Sequence, residues 1–481
     1  MAYPRRGVRG SWGFSLGCRV LSGNFSYSTS PAFFNASWQQ RSILERAVAP
    51  LEAGEGDRAK RILSELRPQS IGSAEEARIA TEMLLDVHSL DAALDAAQRA
   101  AELDPHHPDT IDLLAECRYR IDLPKTRQAD AEAVRAALDR VNACASVAQP
   151  GPDRRIHIVC KLDTLGGTER RALNLARLLS SHVNVTLWST HPAHPMHALQ
   201  HDIRLISPDA APSGGTLAVI GTYFPCGDWL ERAPFERVIV CHNLVEQSRR
   251  LIERLEQIEK NPAHPEVRLT FPSRMFREMY RLPGLVEYSP VDLDYFHRAA
   301  AYSDRTSDLA IGRHGRAFSL KYHPNSAAFF RVLLKRGYRV RLLGGAPIER
   351  TFANDTGAKP EFLAVGALDS RDFLADLDIF VYRKHPQWVE TGGSVILEAM
   401  AMELPVVVFP EDCGCAELIV HGENGFLASS EAEAFDLIER LRADPTLRRR
   451  IGAAARQTLI DLQAQQESEI IEYYGNPPKS S

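Results

Sequence analysis

The stretch Gln387–Phe409, QWVETGGSVILEAMAMELPVVVF, carries the pattern on which the fold of this chain depends. Two glycines open an apolar helical run, a Pro-Val-Val-Val strand follows it, and the apolar strand LDIFVYR precedes it. Strands that are apolar throughout and alternate with helices indicate a parallel sheet that is covered on both faces. Seven residues separate Glu390 from Glu398, and this spacing alone fits either a charged-ligand site or a core helix.

The same alternation of strands and helices occurs in two series. The first contains RIHIVC, VNVTLWST, LAVIGTY, RVIVCHN and RLTFPS; the second, from about Leu309, contains LAIGRH, YRVRLLGG, EFLAVGA, LDIFVYR and PVVVFPE. Each series predicts a doubly wound α/β domain. We therefore predict an α/β fold in which two Rossmann-like domains face each other across a cleft. Their junction is expected near YSPVDLDYF, Tyr288–Phe296.

An all-α helical-repeat region is predicted to precede these domains, because Ala, Leu, Glu and Arg recur there with helical spacing. Its clearest unit is Ala74–His107, in which Ala93 and Ala100 allow close packing and Pro105 stops the second helix. The unit resembles a tetratricopeptide repeat (TPR). Some other helical bundle is the alternative.

Changes in composition divide the chain into five predicted segments. These are a disordered or targeting-like tail (1–35), the TPR-like helical region (36–144), a first Rossmann-like domain (154–290), a second Rossmann-like domain (291–455), and a closing helix with a tail (456–481). The arginine-rich tail has no acidic residue before Glu45, which is typical of a transit peptide. A disordered tail or an over-extended start codon would explain it equally. ASVAQPGPDRR, Ala145–Arg155, is predicted to be a linker.

Composition excludes several classes of protein. The chain has 481 residues, 44% hydrophobic and 25% charged, which is typical of soluble globular proteins. A formal net charge of -5 does not favour nucleic acid as a partner. No apolar run approaches the roughly 18 residues of a membrane-spanning helix. Eight scattered cysteines without a C-x-x-C motif indicate a reducing compartment, and we expect a cytoplasmic protein.

Two clusters of metal-binding residue types are expected to hold no metal. Cys413 and Cys415 form an isolated C-x-C without nearby partners, and we interpret them as structural thiols. Four histidines lie in HPAHPMHALQHD, where the prolines indicate a loop; they are His191, His194, His197 and His201.

Polar clusters follow two strands of the first series. The strand IHIVC leads to Gly166-Gly167 and then to a helix, and glycines there would let backbone N–H groups approach an anion. A tight structural turn is the alternative, and the loop lacks the G-x-G-x-x-G of a dinucleotide site. His242 and Asn243 follow the strand VIVC, where a histidine could donate to a ligand hydroxyl or transfer a proton. A structural histidine is equally compatible with this position.

Two further clusters lie in the second series. Arg313, Arg316 and Lys321 fall within nine residues after a strand and would suit a diphosphate, unless they form a solvated basic loop. Such charge-assisted contacts contribute roughly 1.5–3 kcal/mol each, against about 0.3–1 kcal/mol for a helix dipole. In the opening stretch, Glu398 lies one helical turn after Ser394. It could accept from two vicinal ribose hydroxyls while phosphates occupy the helix start.

Taken together, these motifs resemble the retaining GT-B glycosyltransferases of the group 1, glycogen-synthase-like type, over roughly Arg154–Ser430. The most specific part is the E-x₇-E run followed by CAELIVHGENGFLA, and GGTE, SPVDLDYF and IGRHGR…K occur in the family's order. The family's later Glu and Gly-x-x-Gly correspond to Glu417, Gly422 and Gly425. Three features depart from the family pattern. Thr391 precedes Gly392 where a Gly-aromatic-Gly run is common, Glu403 occupies a position often held by glycine, and the insert between Arg316 and Lys321 is longer than in many members.

The resemblance implies a set of site residues. The implied catalytic residues are Glu390, His242, Arg313 and Lys321. The implied substrate-binding residues are Gly166, Gly167, Arg316, Thr391, Gly392, Gly393, Ser394 and Glu398. Arg313 and Lys321 would hold the donor diphosphate, and Glu398 would hold the ribose. Glu390 and His242 would lie at the transferred sugar. No metal is implied, and no cofactor apart from the nucleotide-diphosphate sugar that serves as donor substrate.

The resemblance also implies an activity. This activity is the transfer of a sugar from a nucleotide sugar, with retention and without a metal, as in polysaccharide biosynthesis. Residues 291–455 would hold the donor, and residues 154–290 would hold a glycan, lipid-linked or protein acceptor. A protein partner at the helical region and a peripheral membrane contact stay open. The alternatives are a non-catalytic TPR-type scaffold with a degenerate transferase domain, or another GT-B enzyme such as a nucleotide-sugar epimerase. The missing G-x-G-x-x-G disfavours a nicotinamide-dependent oxidoreductase.

Overall fold

A computed structural model describes residues 31–52, 56–86, 89–145, 155–245, 248–298 and 306–475. Most of the predicted tail (1–35) and nearly all of the predicted linker (145–155) lie outside these residues. The fold prediction is confirmed: two parallel sheets, each with helices, follow a helical N-terminal region. Within the described part of the chain, no helix is both long enough and apolar enough to cross a bilayer.

The helical region packs through small side chains. Its helices α1 to α5 are Pro31–Glu52, Gly56–Leu63, Ala74–Asp86, Leu90–Leu103 and Pro108–Ala143. Helices α3 and α4 form the hairpin predicted for Ala74–His107, and the α4 face that meets α3 is made of buried alanines, Ala93, Ala96, Ala97 and Ala100. Short side chains let the two backbones approach closely. The tetratricopeptide assignment itself stays a prediction.

The second half of α5 belongs to the core beneath the first sheet. Val134, Leu138 and Val141 are buried in the same apolar cluster as Val267. At its end, the Asn142 amide donates to the Val267 carbonyl oxygen at 3.0 Å and accepts from the Val267 N–H at 2.9 Å. The asparagine side chain thus satisfies backbone groups as a neighbouring strand would. The helical region and the first α/β domain therefore share a core.

The first sheet has seven parallel strands in the order β3-β2-β1-β4-β5-β6-β7. Strands β1 to β7 are Arg155–Cys160, Asn184–Ser189, Ile203–Leu205, Thr216–Ile220, Arg237–Cys241, Glu266–Phe271 and Leu285–Val286. Helices α6 to α10 are Gly167–Ser180, Pro195–Ala198, Trp229–Arg232, Ser248–Glu259 and Arg274–Tyr280. The five predicted strands are present. Strands β3 and β7 were not predicted, because runs of three and two residues carry no pattern.

The second sheet has six parallel strands in the order β10-β9-β8-β11-β12-β13. Strands β8 to β13 are Ala310–His314, Arg339–Leu343, Glu361–Leu363, Ile379–Tyr382, Val406–Val408 and Phe426–Leu427. Helices α11 to α16 are Ser326–Lys335, Ala346–Glu349, Ser370–Ala375, Ser394–Ala401, Glu431–Ala443 and Pro445–Gly475. The order reverses beside β1 in one sheet and beside β8 in the other. The loops at these switch points line the ligand crevice of an open sheet.

The closing helix α16 returns to the first domain, which sequence patterns did not indicate. Ile470 and Tyr474 are buried in the core of the first sheet. The Tyr474 hydroxyl donates to Glu287 Oε2 at 2.6 Å, and Arg171 Nη2 lies 2.9 Å from Glu287 Oε1. All three side chains are buried. This buried cluster links helix α16 to helix α6.

Arg171→Met is expected to lower the free energy of unfolding by about 3–5 kcal/mol, because the buried Glu287 carboxylate loses its cation. Arg177→Met is the matched control on the same helix. Arg177 is half-exposed beside Asp292, so this change is expected to cost less than about 1 kcal/mol. Urea unfolding followed by tryptophan fluorescence measures both. Equal losses in the two variants would contradict a special role for the buried cluster.

Candidate active site

The candidate site lies where the carboxyl ends of the two sheets meet. The loop after β1 carries Gly166-Gly167, the loop after β8 carries Arg316 and Lys321, and the loop after β11 leads to Glu390. These loops come together in the structure, as their positions at strand ends predict.

The Gly166-Gly167 loop contacts the second domain directly. A Cβ atom at position 166 would overlap the Arg316 guanidinium, and one at position 167 would lie 2.9 Å from Ser394 Oγ. A side chain at position 166 would displace the Arg316 guanidinium and the Glu169 carboxylate, and one at position 167 would press on the Ser394 hydroxyl. The start of α6 and the start of α14 face each other across this contact.

Glu169 organises the loop, and sequence analysis did not single it out. Its carboxylate has 0% exposed area and accepts from Thr164 at 2.9 Å, Tyr223 at 2.8 Å and Arg316 at 2.7 Å. Burial, together with the nearby carboxylate, raises the pKa of Tyr223 well above its ordinary value. Because Arg316 belongs to the second domain, Glu169 joins the loop to the opposite wall of the cleft.

Glu390 is buried and ionised. Its Oε2 contacts Lys321 Nζ and the Tyr382 hydroxyl, and its Oε1 accepts from the Gly393 N–H at 3.3 Å. Burial alone would raise the pKa of this carboxyl, but the Lys321 ammonium and the two hydrogen bonds outweigh it and hold the pKa below its usual value. Lys321 Nζ also lies 4.7 Å from the centre of the Trp388 ring. Lys321 and Glu390 thus form a partly buried ion pair, and their assigned contacts with diphosphate and sugar stay predictions.

The start of α14 depends on a left-handed glycine. Gly393 has a φ of +63°, and a Cβ atom there would lie 2.9 Å from Cys415 Sγ. Thr391 contacts the first domain: its hydroxyl donates to the Asn243 carbonyl oxygen at 2.6 Å, and its own carbonyl oxygen accepts from Ser273 Oγ at 2.6 Å. The residue that departs from the family pattern is therefore an interdomain contact.

Glu398 is buried beside a cation from the first domain. Arg170 Nε lies 3.2 Å from its Oε1, and His314 Nε2 lies 3.3 Å from its Oε2. Burial raises the pKa of Glu398, and Arg170 opposes that rise. Burial, with nearby arginines, lowers the pKa of His314 to about 3, so its ring is neutral at physiological pH.

Two residues of the predicted site lie behind the cleft. Arg313 is 2% exposed, its guanidinium lies 4.5 Å from the ring centres of both Tyr322 and Tyr382, and it donates to the Arg383 carbonyl oxygen. His242 is buried among Phe276, Tyr280 and a third aromatic ring, and burial lowers its pKa to about 3. The structure does not bring either side chain to the cleft surface. Their assigned contacts with diphosphate and sugar stay predictions.

The histidine-rich loop does not gather its side chains around one point. His197 Nε2 lies 2.9 Å from the Thr164 carbonyl oxygen, and His194 accepts from the Met196 N–H. Among residues that the structure describes, no three side chains of the His, Cys, Asp and Glu types are arranged to hold a metal ion. Cys413 and Cys415 are buried, and Cys415 Sγ contacts the Gly392 carbonyl oxygen, which fits structural thiols.

The arrangement combines an anion site with hydroxyl acceptors. Lys321, Arg316 and the start of α14 supply positive charge. Glu390, four residues before α14 begins, and Glu398, within α14, supply buried carboxylate oxygens. A ligand carrying phosphates next to hydroxyl groups suits this combination.

Comparisons with known proteins support the fold and match part of the second domain to a family. Residues 317–458, less than a third of the chain, match the family described as "Glycosyl transferases group 1". A glycosyltransferase from Rickettsia africae ESF-5 superposes with a TM-score of 0.52 at 15% identity, over 69% of this chain and 100% of that one.

The fold is that of a GT-B glycosyltransferase. Two other solved structures superpose less well. HepE from Anabaena, in complex with UDP and glucose, gives a TM-score of 0.46 at 14% identity over 66% of this chain and 99% of that one. WaaG, a glycosyltransferase involved in lipopolysaccharide biosynthesis, gives 0.46 at 12% identity over 67% and 100%. No curated protein sequence matches the chain.

The packing of Gly393 against Cys415 at the start of α14 can be tested by mutation. Gly393→Ala is expected to destabilise the protein more than Gly422→Ala, although both glycines have positive φ. Each alanine adds left-handed strain of about 1–2 kcal/mol. At position 422 a Cβ meets nothing within 4 Å, whereas at position 393 it also collides with Cys415. Urea unfolding of both variants measures the difference, and equal losses would show that the Cys415 contact relaxes freely.

Proposed function

We propose that this protein transfers a sugar from a nucleotide-diphosphate sugar to an acceptor, with retention of the anomeric configuration. One observation carries the proposal: buried Glu390 and Glu398 flank the start of α14, with Lys321 bound to the first and a loop of the first domain closing over the helix start. The family match over residues 317–458 supports it independently. We assign the donor to the second domain and the acceptor to the first.

The proposed donor position follows from charge. The diphosphate takes the Ser394 N–H at the start of α14 and the cations Lys321 and Arg316, because a doubly charged group gains most from these donors. Glu398 accepts from the ribose hydroxyls. Glu390 accepts from hydroxyl groups of the transferred sugar, and its bonds to Lys321 and Tyr382 keep it ionised for that task.

In the proposed reaction, the bond between the anomeric carbon and the donor phosphate oxygen breaks. The acceptor oxygen forms its bond on the same face of the sugar, and the acceptor's proton passes to the departing phosphate oxygen. Positive charge at Lys321 and the helix start stabilises the negative charge that develops on the diphosphate. Arg313 lies beneath this position and supports Tyr382 through its stacked guanidinium. No protein nucleophile enters this scheme, and the expectation of a metal-independent reaction rests on these cations.

The acceptor is a glycan, a lipid-linked saccharide or a protein, and polysaccharide biosynthesis in the cytoplasm is the proposed setting. The helical region is proposed to present the acceptor or bind a protein partner. Because α5 supplies part of the first domain's core, a truncation that tests this idea has to keep residues 108–143. Removing residues 1–107 tests the helical region without cutting into the shared core.

A donor screen tests the proposed function directly. One nucleotide-diphosphate sugar is expected to raise the unfolding temperature, since a ligand at 100 times its Kd stabilises by about 2.7 kcal/mol. With that donor, Glu390→Gln is expected to lower transfer or donor hydrolysis about 100-fold by removing the charge that orients the sugar. Glu349→Gln, an exposed residue of the same domain, is the control and should keep wild-type activity. An unstabilised protein across all common donors, or full activity in Glu390→Gln, would contradict the proposal.

The stereochemistry gives a separate prediction. Proton NMR of the first-formed product is expected to show the same anomeric configuration as the donor sugar. The reason is that attack and departure share one face when the diphosphate itself receives the acceptor's proton. An inverted product would exclude retention and leave sugar transfer itself intact.

A further inference from the structure

One face of α6 connects the candidate site to the junction between the domains. Asn174 Nδ2 donates to the Pro290 carbonyl oxygen at 2.7 Å, and Arg177 Nη1 lies 2.9 Å from Asp292 Oδ2. One turn earlier on the same face, the Arg170 guanidinium lies 5.2 Å from the centre of the Phe296 ring and reaches Glu398. Residues 170, 174 and 177 thus all contact residues of the 289–296 junction. Arg170 also contacts Glu398 in the site.

A small cavity lies at this point, between the two domains. Arg170, Asn174, Ser394 and Glu398 line it together with residues 289–291 of the junction. Because Glu398 faces the cavity while buried, its carboxylate has few sources of stabilisation for a negative charge.

The ionisable groups around Glu398 come from three parts of the fold. His314, at the end of β8, has a neutral ring at physiological pH, and Asp369, before α13, adds negative charge. Arg170, from α6, is the cation that opposes both burial and Asp369. A carboxylate accepts from two ribose hydroxyls only when it is ionised, since a protonated carboxyl turns one oxygen into a donor.

We propose that Arg170 is a positioning residue for nucleotide binding: it keeps Glu398 ionised and fixes its Oε1, so that the carboxylate can accept from the ribose hydroxyls. This role rests on the proposed function, because it assumes that Glu398 binds the ribose of the donor. Arg170 acts through Glu398 and needs no contact with the ligand. Its packing on Phe296 links that carboxylate to the domain junction.

Binding of UDP, GDP and ADP, measured by calorimetry between pH 5 and pH 9, tests the role. For whichever nucleotide binds the wild type, Arg170→Met is expected to raise Kd about 10-fold at pH 7, the effect of losing about 1.4 kcal/mol. Without the cation, the pKa of Glu398 rises further. The loss should therefore be largest at low pH and shrink as the pH rises and Glu398 ionises.

Several controls separate this role from general damage. Arg170→Lys keeps a cation and is expected to restore most of the affinity, and Arg177→Met should bind like the wild type. The 2′,3′-dideoxy form of the same nucleotide lacks the hydroxyls that Glu398 accepts from, so its Kd should not change in Arg170→Met. In a Glu398→Gln background, Arg170→Met should have no additional effect. If Arg170→Met does not fold, Arg170→Gln provides the same test with a polar side chain.

The contrary outcomes are distinct. Wild-type Kd values and an unchanged pH profile in Arg170→Met would overturn the role of Arg170 and leave the proposed function standing. Tighter binding would overturn it too, by showing that Arg170 competes with the ribose for Glu398. An equal loss for the dideoxy nucleotide would mean that the change is structural only. A wild-type protein that binds none of the three nucleotides would overturn the proposed function and this role together.

Discussion

The absence of two side chains allows the two sheets to meet. Glycine at positions 166 and 167 lets the loop after the first strand approach Arg316 and Ser394 of the second domain. The interdomain ion pairs of the site depend on this approach. It brings Glu169 to Arg316 and Arg170 to Glu398, and it places two helix starts on opposite sides of one cleft. A methyl group at position 166 would overlap both members of the Glu169–Arg316 pair.

The closed cleft satisfies its charges internally. Each ionised group that is proposed to contact the donor, or to orient a group that does, has a partner of opposite charge. The pairs are Glu390 with Lys321, Glu169 with Arg316 and Glu398 with Arg170. Such pairing is expected of a buried polar site, because an isolated charge there would cost far more than an ion pair. A ligand with phosphates and hydroxyl groups therefore exchanges one set of charge contacts for another. Its affinity depends on the difference between the two sets.

The sequence was sufficient for the fold and for part of the site. Long apolar strands and glycine-rich turns predicted the two sheets. The E-x₇-E run identified Glu390 and Glu398, which the structure buries on either side of the start of α14. Burial could not be predicted for Arg313 and His242, because a strand-end position does not reveal whether aromatic rings will enclose the side chain.

The interdomain contacts of Glu169 with Arg316 and of Arg170 with Glu398 were also beyond sequence reasoning, since these partners are more than 140 residues apart in the chain. Glu403, by contrast, was identified from the sequence as an exception at a frequent glycine position. Its backbone φ of +59° explains why glycine is favoured there.

The return of helix α16 determines how the two domains can move. The chain crosses from the first domain to the second near residue 290 and comes back through α16, where Gln463 accepts from the Val291 N–H and Gln466 donates to the Val286 carbonyl oxygen. The two crossings lie side by side, so any movement of one domain against the other has to be accommodated by both stretches of chain at once. Arg170 contacts Phe296 next to the first crossing, which places the Arg170–Glu398 pair beside the covalent connection between the domains.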